Sequence, residues 1–237
     1  MHHVFLAEGS KVVMELLNSE KIVCEHILAK PIWLKENEGQ IRKYFKGTIE
    51  VIEDFELERI SALTTPGHVV GVFKKRDEGV IEVQGKITLV LDGIQDPGNL
   101  GTMIRIADWF GISAVICSEN CADLYNPKVV QSTMGSIGRV EVRYTNLVEW
   151  LNKNKGIRIY AAALEGINLY GLKGLQEGII IIGNESRGIS EEIFRMANEK
   201  ITIPKTGYAE SLNAAVAAGI IISHLTSPLS LSIGAGT

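Results

Sequence analysis

The chain has 237 residues, 46% of them hydrophobic and 22% charged, with a formal net charge of −4 at pH 7. That is enough apolar material for a large core in one or two domains, and no apolar run approaches the roughly 20 residues of a membrane span. The mild acidity argues against a generally adhesive nucleic-acid coat but leaves room for a local basic patch.

The first 75 residues read as short alternating elements. Strands are predicted at "VFLAEG" (4–9), "KIVCEHI" (21–27), "GTIEVIE" (47–53) and "HVVGVFK" (68–74), with helices over "KVVMELLNS" (11–19) and "FELERISAL" (55–63). This pattern predicts a small α/β domain over residues 1–75. The polar, glycine-containing stretch "KKRDEGVIEVQGK" (74–86) marks the clearest break, and a linker is expected at 76–85. The opening "MHHVFLAEGSKVV" lacks the order of a signal peptide, so a cytoplasmic protein is expected. Cys24, Cys117 and Cys121 are expected as free thiols, because "CSENC" does not have zinc-site spacing; no metal is expected.

Residues 86–237 carry apolar runs on successive positions, at "ITLVLDGI", "AVICS", "RVEVRY", "IRIYAAAL", "GIIIIG" and "KITIP". Strands of that kind are buried on both faces, as in a parallel sheet. Helical patterns lie between them, at 99–110, about 127–135, 146–154, about 190–197 and 211–226. Alternation of this kind predicts a parallel sheet covered by helices. Ligands of such sheets bind outside the carboxyl ends of the strands, which directs attention to 96–105, 183–188 and 203–213.

In "DPGNLGTMIRIADWFG", the spacing puts Met103, Ile106, Ala107 and Phe110 on a core stripe. Arg105 lies away from it, near Thr102 and Asp108. Two readings stand: a solvated arginine paired with Asp108 at i,i+3 beside an Asn99 that caps the helix, or a guanidinium at a cleft mouth that holds a phosphate or ribose oxygen. In "IIIIGNESRGIS", an apolar strand breaks at Gly183 and a polar loop closes at Gly188. Glu185 there either ties the loop backbone or faces a ligand. In "ITIPKTGYAESLNAAVAAG", Pro204 ends a strand and Ser211 is the expected cap of the last helix. The small residues Ala214, Ala215, Ala217, Ala218 and Gly219 make that helix thin. Asn213, in its first turn, needs hydrogen-bond partners if buried.

Together these segments resemble the SpoU-type RNA ribose 2′-O-methyltransferases of the SPOUT class. The family pattern N-x-G-x₃-R is matched by Asn99, Gly101 and Arg105, and G-x-E-x-x-G by Gly183, Glu185 and Gly188. I-P-x-x-G followed by S-L-N is matched by Ile203, Pro204, Gly207, Ser211, Leu212 and Asn213. A looser resemblance over residues 3–75, through "FLAEGSKVVMELL" and "TTPGHVVGV", extends to the family's small RNA-recruiting domain. The chain departs from the pattern at Lys205, where many members have Met, and at Ala214-Ala215, where they have Val-Ser.

The resemblance implies a knotted parallel-sheet domain, a homodimer, and S-adenosylmethionine held around Ala163, Leu164, Gly183, Asn184, Ile203 and Leu212. It also implies that Arg105, Asn99, Glu185, Ser211 and Asn213 surround an RNA ribose, with ribosomal RNA favoured over tRNA and no membrane partner. Lys11, Lys21, Arg42, Lys43 and Lys46 are candidate RNA contacts. A nicotinamide oxidoreductase is the rival suggested by strand–helix alternation, but it lacks the G-x-G-x-x-G fingerprint. A non-catalytic RNA scaffold of the same fold and a base methyltransferase of the wider class also compete.

Overall fold

The computed structural model describes residues 3–227. Apolar residues separate there into two sheets with different patterns. In the first, β1 (Val4–Glu8), β2 (Cys24–Ala29), β3 (Thr48–Val51) and β4 (Val69–Lys74) form a mixed sheet of order β1-β4-β2-β3. β4 runs antiparallel to β1 and β2, and β2 parallel to β3. Helices α1 (Ser10–Leu17), α2 (Pro31–Tyr44) and α3 (Asp54–Ile60) connect these strands.

The sequence predicts no element over residues 31–44, where the structure has α2. Of its 14 residues only Trp33 and Ile41 are buried. A helix that turns most of its surface to water carries little apolar periodicity; its one local signal is Pro31 at the first helical position.

The second sheet is wholly parallel: β5 (Ile87–Asp92), β6 (Ala114–Cys117), β7 (Glu141–Tyr144), β8 (Ile159–Asn168), β9 (Gly178–Gly183) and β10 (Glu199–Thr202). Their order is β10-β8-β9-β5-β6-β7. Every residue of the central strand β9 is buried. Each such isoleucine contributes about 1.5–3 kcal/mol relative to exposure, which explains the unbroken apolar run. Helices α4 (Pro97–Trp109), α5 (Pro127–Thr133), α6 (Leu147–Lys153), α7 (Glu191–Phe194) and α8 (Ala214–Leu225) cover the sheet.

β10 joins β8 in two registers. Glu199 and Lys200 sit opposite Tyr160 and Ala161, whereas Ile201 and Thr202 sit opposite Ile167 and Asn168. Residues 162–166 are thereby left out of the β10 pairing, at the carboxyl end of the sheet. The far end of α8 is tied to the segment before β9: the Leu175 amide donates to the Leu225 carbonyl at 2.6 Å, and His224 Nε2 lies 2.8 Å from the Leu172 carbonyl.

The two sheets share a continuous buried cluster in which Phe5, Val13 and Leu16 pack with Leu100, Ile137 and Val140. The Phe5 and Tyr125 rings lie 4.9 Å apart. Residues 76–85 form no helix or strand, yet they are tied down. The Arg76 amide donates to the Tyr125 hydroxyl at 3.1 Å, its guanidinium pairs with Glu141, and Val83 is buried.

Candidate active site

The carboxyl end of β5 delivers the chain into α4. Asp96 caps this helix, its carboxylate accepting from the Asn99 amide at 2.8 Å, with Pro97 in the first turn. Asn99 is therefore not the cap, and its side chain is free to reach outward. Its Nδ2 donates to Glu185 Oε1 at 2.6 Å, and its Oδ1 accepts from Asn213 Nδ2 at 3.0 Å. Asn213 Oδ1 in turn accepts from the amides of Ala215 (2.9 Å) and Val216 (3.2 Å). The cap of α8 is thus Asn213 and not Ser211, whose hydroxyl makes no hydrogen bond among the described residues.

This chain fixes its own amide orientations. An ionised carboxylate can only accept, so Asn99 must turn its NH₂ to Glu185. Its oxygen is left for the NH₂ of Asn213, whose oxygen then meets the amides of α8. Three segments far apart in sequence are joined in one directed line.

The loop after β9 is built to hold Glu185 in place. A Cβ at Gly183 would overlap the carbonyl carbon of Gly188 and the amide nitrogen of Ile189, so the strand can pass its own returning loop only as glycine. Asn184 and Gly188 exchange both backbone hydrogen bonds at 3.0 Å. The Asn184 amide reaches back to the Gly93 carbonyl at 2.7 Å, and its oxygen accepts from the Ser186 and Arg187 amides. Asn184 therefore organises the loop. The nearly buried Asp92 fastens the far side by accepting from the Ser190 amide at 2.7 Å.

Beside this loop, apolar side chains stand open at the strand ends: Leu164 is 75% exposed, Leu212 49% and Ile167 44%. Ala163 and Ile203 are half-buried. Thr202 Oγ1 donates to the Leu164 carbonyl at 3.0 Å, tying the third loop to the end of β8. Exposed apolar side chains beside a backbone-lined loop fit the adenosyl group of S-adenosylmethionine, which has flat apolar faces and a polar edge.

Arg105 is exposed on α4, with no ion pair or hydrogen bond among the described residues. It makes no hydrogen bond or ion pair with Asn99, Glu185 or Asn213. Nor does it pair with Asp108, the partner that helical spacing offers it. Asp108 Oδ2 instead accepts from Ser136 Oγ (2.7 Å) and from Arg139 Nε (2.9 Å) and Nη2 (2.8 Å), and Arg139 Nη1 donates to Glu15 at 3.0 Å. The Asp108 hydrogen bond raises the Arg139 pKa above the usual guanidinium range, against desolvation.

The core stripe of α4 is also rotated from its predicted position. Leu100, Met103, Ile104 and Ala107 are buried, whereas Ile106 and Phe110 are half-buried. Those two line an open groove of about 760 Å³ between α4 and α8, together with Asn99, Val216, Gly219 and Ile220. Gly101 faces α5 so closely that a Cβ would lie 2.7 Å from the Val129 carbonyl oxygen.

Cys117 and Cys121 are buried and Cys24 half-buried, all as free thiols. Burial pushes Cys24 up to about 12. The hydrogen bond from Cys117 lowers Cys121, whose sulfur also accepts from the Ile94 amide at 3.2 Å. Sequence reasoning had no signal for Asp108, Ser136 and Arg139 as a group, because their pairing depends on the fold around α5.

Comparison with known proteins bears on the same segments. A sequence profile described as the SpoU rRNA Methylase family matches residues 86–223. The 23S rRNA (guanosine(2553)-2′-O)-methyltransferase RlmP of Bacillus subtilis (strain 168) is 32% identical over 228 residues, covering 94% of this chain and 88% of that protein. A TrmH-family structure from Porphyromonas gingivalis superposes with a TM-score of 0.80 at 37% identity, over 94% of this chain and 89% of that one. An AdoMet-bound rRNA methyltransferase from Sinorhizobium meliloti superposes with a TM-score of 0.81 at 27% identity, over 94% and 87%.

Proposed function

Since this chain belongs to the SpoU rRNA methylase family, we propose that it methylates an RNA ribose 2′-hydroxyl with S-adenosylmethionine. The observation that carries the reading is the Glu185–Asn99–Asn213 line, which ties the three motif loops together at the carboxyl edge of the parallel sheet. Ribosomal RNA is the favoured substrate, because the Bacillus subtilis relative named for that activity aligns over nearly the whole chain.

S-adenosylmethionine, when bound, supplies a methyl group already activated by its sulfonium. Ala163, Leu164, Gly183, Asn184, Ile203 and Leu212 are the residues that hold it in this reading. What the chain must add is alignment of the accepting oxygen and stabilisation of its developing charge. Arg105 takes that role. A guanidinium stays protonated at neutral pH, so it orients the ribose and stabilises the alkoxide, and does not act as the base. An RNA phosphate oxygen assists removal of the hydroxyl proton in this reading. Asn99 and Glu185 keep the pocket edge rigid, Asn213 couples it to α8, and Ser211 completes the third loop.

That Arg105 is exposed and bonds to none of the other site residues supports a homodimer in which a second copy completes the site. The apolar wall of the α4–α8 groove, with Ile106, Phe110, Val216 and Ile220, is the surface such a copy would cover. The knot is part of the same reading, supported by the two-register pairing of β8 with β10 and by the ties between α8 and residues 172–175. The division into a small RNA-recruiting domain (1–75), a connection (76–85) and a catalytic domain (86–237) is likewise proposed. So is a cytoplasmic location; among the described residues, no helix is long and apolar enough to cross a membrane.

The test incubates the protein with methyl-labelled S-adenosylmethionine and, separately, unmodified ribosomal RNA and tRNA transcripts, followed by alkaline digestion. Label in alkali-resistant dinucleotides from ribosomal RNA is the expected result. Label from tRNA alone would reassign the substrate. Label on a base, or none in either RNA while cofactor binding is intact, would sink the ribose reading.

A further inference from the structure

We propose that Arg139 is a positioning residue that holds Asp108 away from Arg105 and so keeps the Arg105 guanidinium available to the substrate. The inference rests on the assignment of Arg105 to the ribose. Arg105 and Asp108 stand three residues apart on α4, a spacing at which opposite charges meet on a helix surface. An arginine engaged in that way presents fewer donors to an incoming oxygen, and the adjacent carboxylate would repel RNA phosphates.

The structure removes this competitor. One carboxylate oxygen of Asp108 receives three donors, from Ser136 and from two nitrogens of Arg139. Ser136 is only 2% exposed, so its hydroxyl is held where it can serve Asp108. The backbone explains why both donors face α4. At the end of α5, Met134 (φ 51°) and Gly135 (φ 94°) take left-handed conformations. They turn the chain into a short 3₁₀ turn, Ser136–Gly138, directly before Arg139. The other arm of Arg139 reaches Glu15 of α1, so the first sheet's helix braces the guanidinium that restrains Asp108.

The test compares single-turnover methyl transfer to the RNA that accepts label, S-adenosylmethionine affinity and thermal melting across a set of variants. Arg139→Gln should lower the transfer rate about twofold, the factor an exposed i,i+3 helix ion pair can withhold, with cofactor affinity unchanged. Adding Asp108→Asn to Arg139→Gln should restore the rate, because no carboxylate then remains to capture Arg105. A merely structural role for Arg139 predicts a rate loss only near the variant's melting transition, whereas here the loss and its rescue persist well below it. Glu15→Gln, which leaves Asp108 restrained, should keep the wild-type rate. If Arg139→Gln does not fold, Arg139→Met with and without Asp108→Asn gives the same comparison, because it keeps the apolar stem and removes the donors to Asp108.

A double variant no faster than its Arg139→Gln or Arg139→Met parent overturns the proposal. Arg105→Ala separates the two levels. Its inactivity together with failed rescue removes this inference alone, whereas turnover at the wild-type rate removes the ribose assignment and this inference with it.

Discussion

The two halves of α4 treat their polar side chains in opposite ways. At its amino end, Asn99 is held from both sides, by Glu185 and by Asn213. One to two turns later Arg105 has no partner among the described residues, while its neighbour Asp108 is bound by Ser136 and Arg139. The contrast separates two ways in which a site can be prepared. A group that shapes the pocket gains from being fixed. In the proposed reading, Arg105 is a cation meant for an incoming anion, and such a cation loses donors if it is already paired.

The sharpest way to break the contrast is to remove the free cation. Arg105→Ala should lower kcat by about 10²- to 10³-fold, the cost of losing one electrostatic stabiliser. Calorimetry should find S-adenosylmethionine affinity nearly intact. At the held end, Asn99→Ala uncouples Glu185 from Asn213. A misplacement of an ångström can cost about 10²-fold in rate, and a loss of roughly tenfold is expected here, because the neighbouring loops have ties of their own. Wild-type kinetics would show that the hydrogen-bonded line plays no part in catalysis.

Gly183→Ala tests the loop that carries Glu185. Its Cβ must displace backbone, so a loss of more than about 1 kcal/mol is expected. That corresponds to a fall in Tm of at least about 2–4 °C for a chain of this size, with weakened cofactor binding in the same variant. The smallest effect separates the two duties of Asn213. Asn213→Ala should cost about 1 kcal/mol through loss of the α8 cap. Asn213→Asp keeps a capping oxygen and should melt near the wild type, but it removes the donor to Asn99 and slows transfer. Equal rates for Asn213→Asp and the wild type would separate the cap from the site.

Much of this was readable in the chain itself. The run "GIIIIG" is apolar at every position because β9 is covered on both faces, and the six runs after residue 86 all became parallel strands. The three loops were located by the breaks that end those strands. Local pattern failed where the deciding partner was distant. Residues 31–44 form a helix although they bury only Trp33 and Ile41, and the buried side of α4 includes Gly101, which packs against α5. Ser211 and Asn213 are both suitable caps by residue type, and Asn213 serves because α8 begins only at Ala214.

Strand and helix identity, the parallel sheet and the residue types at the three loop mouths follow from the sequence alone, since they depend on periodicity and on where it is interrupted. The pairing of side chains depended on the tertiary structure. Asn99 and Glu185 are separated by 86 residues, and Asn213 is 114 beyond Asn99. Asp108 has a suitable cation three residues away but binds one 31 residues away. A hydrogen bond or ion pair is chosen by distance and direction in space, and for these groups the folded sheet and the turn after α5 supply both.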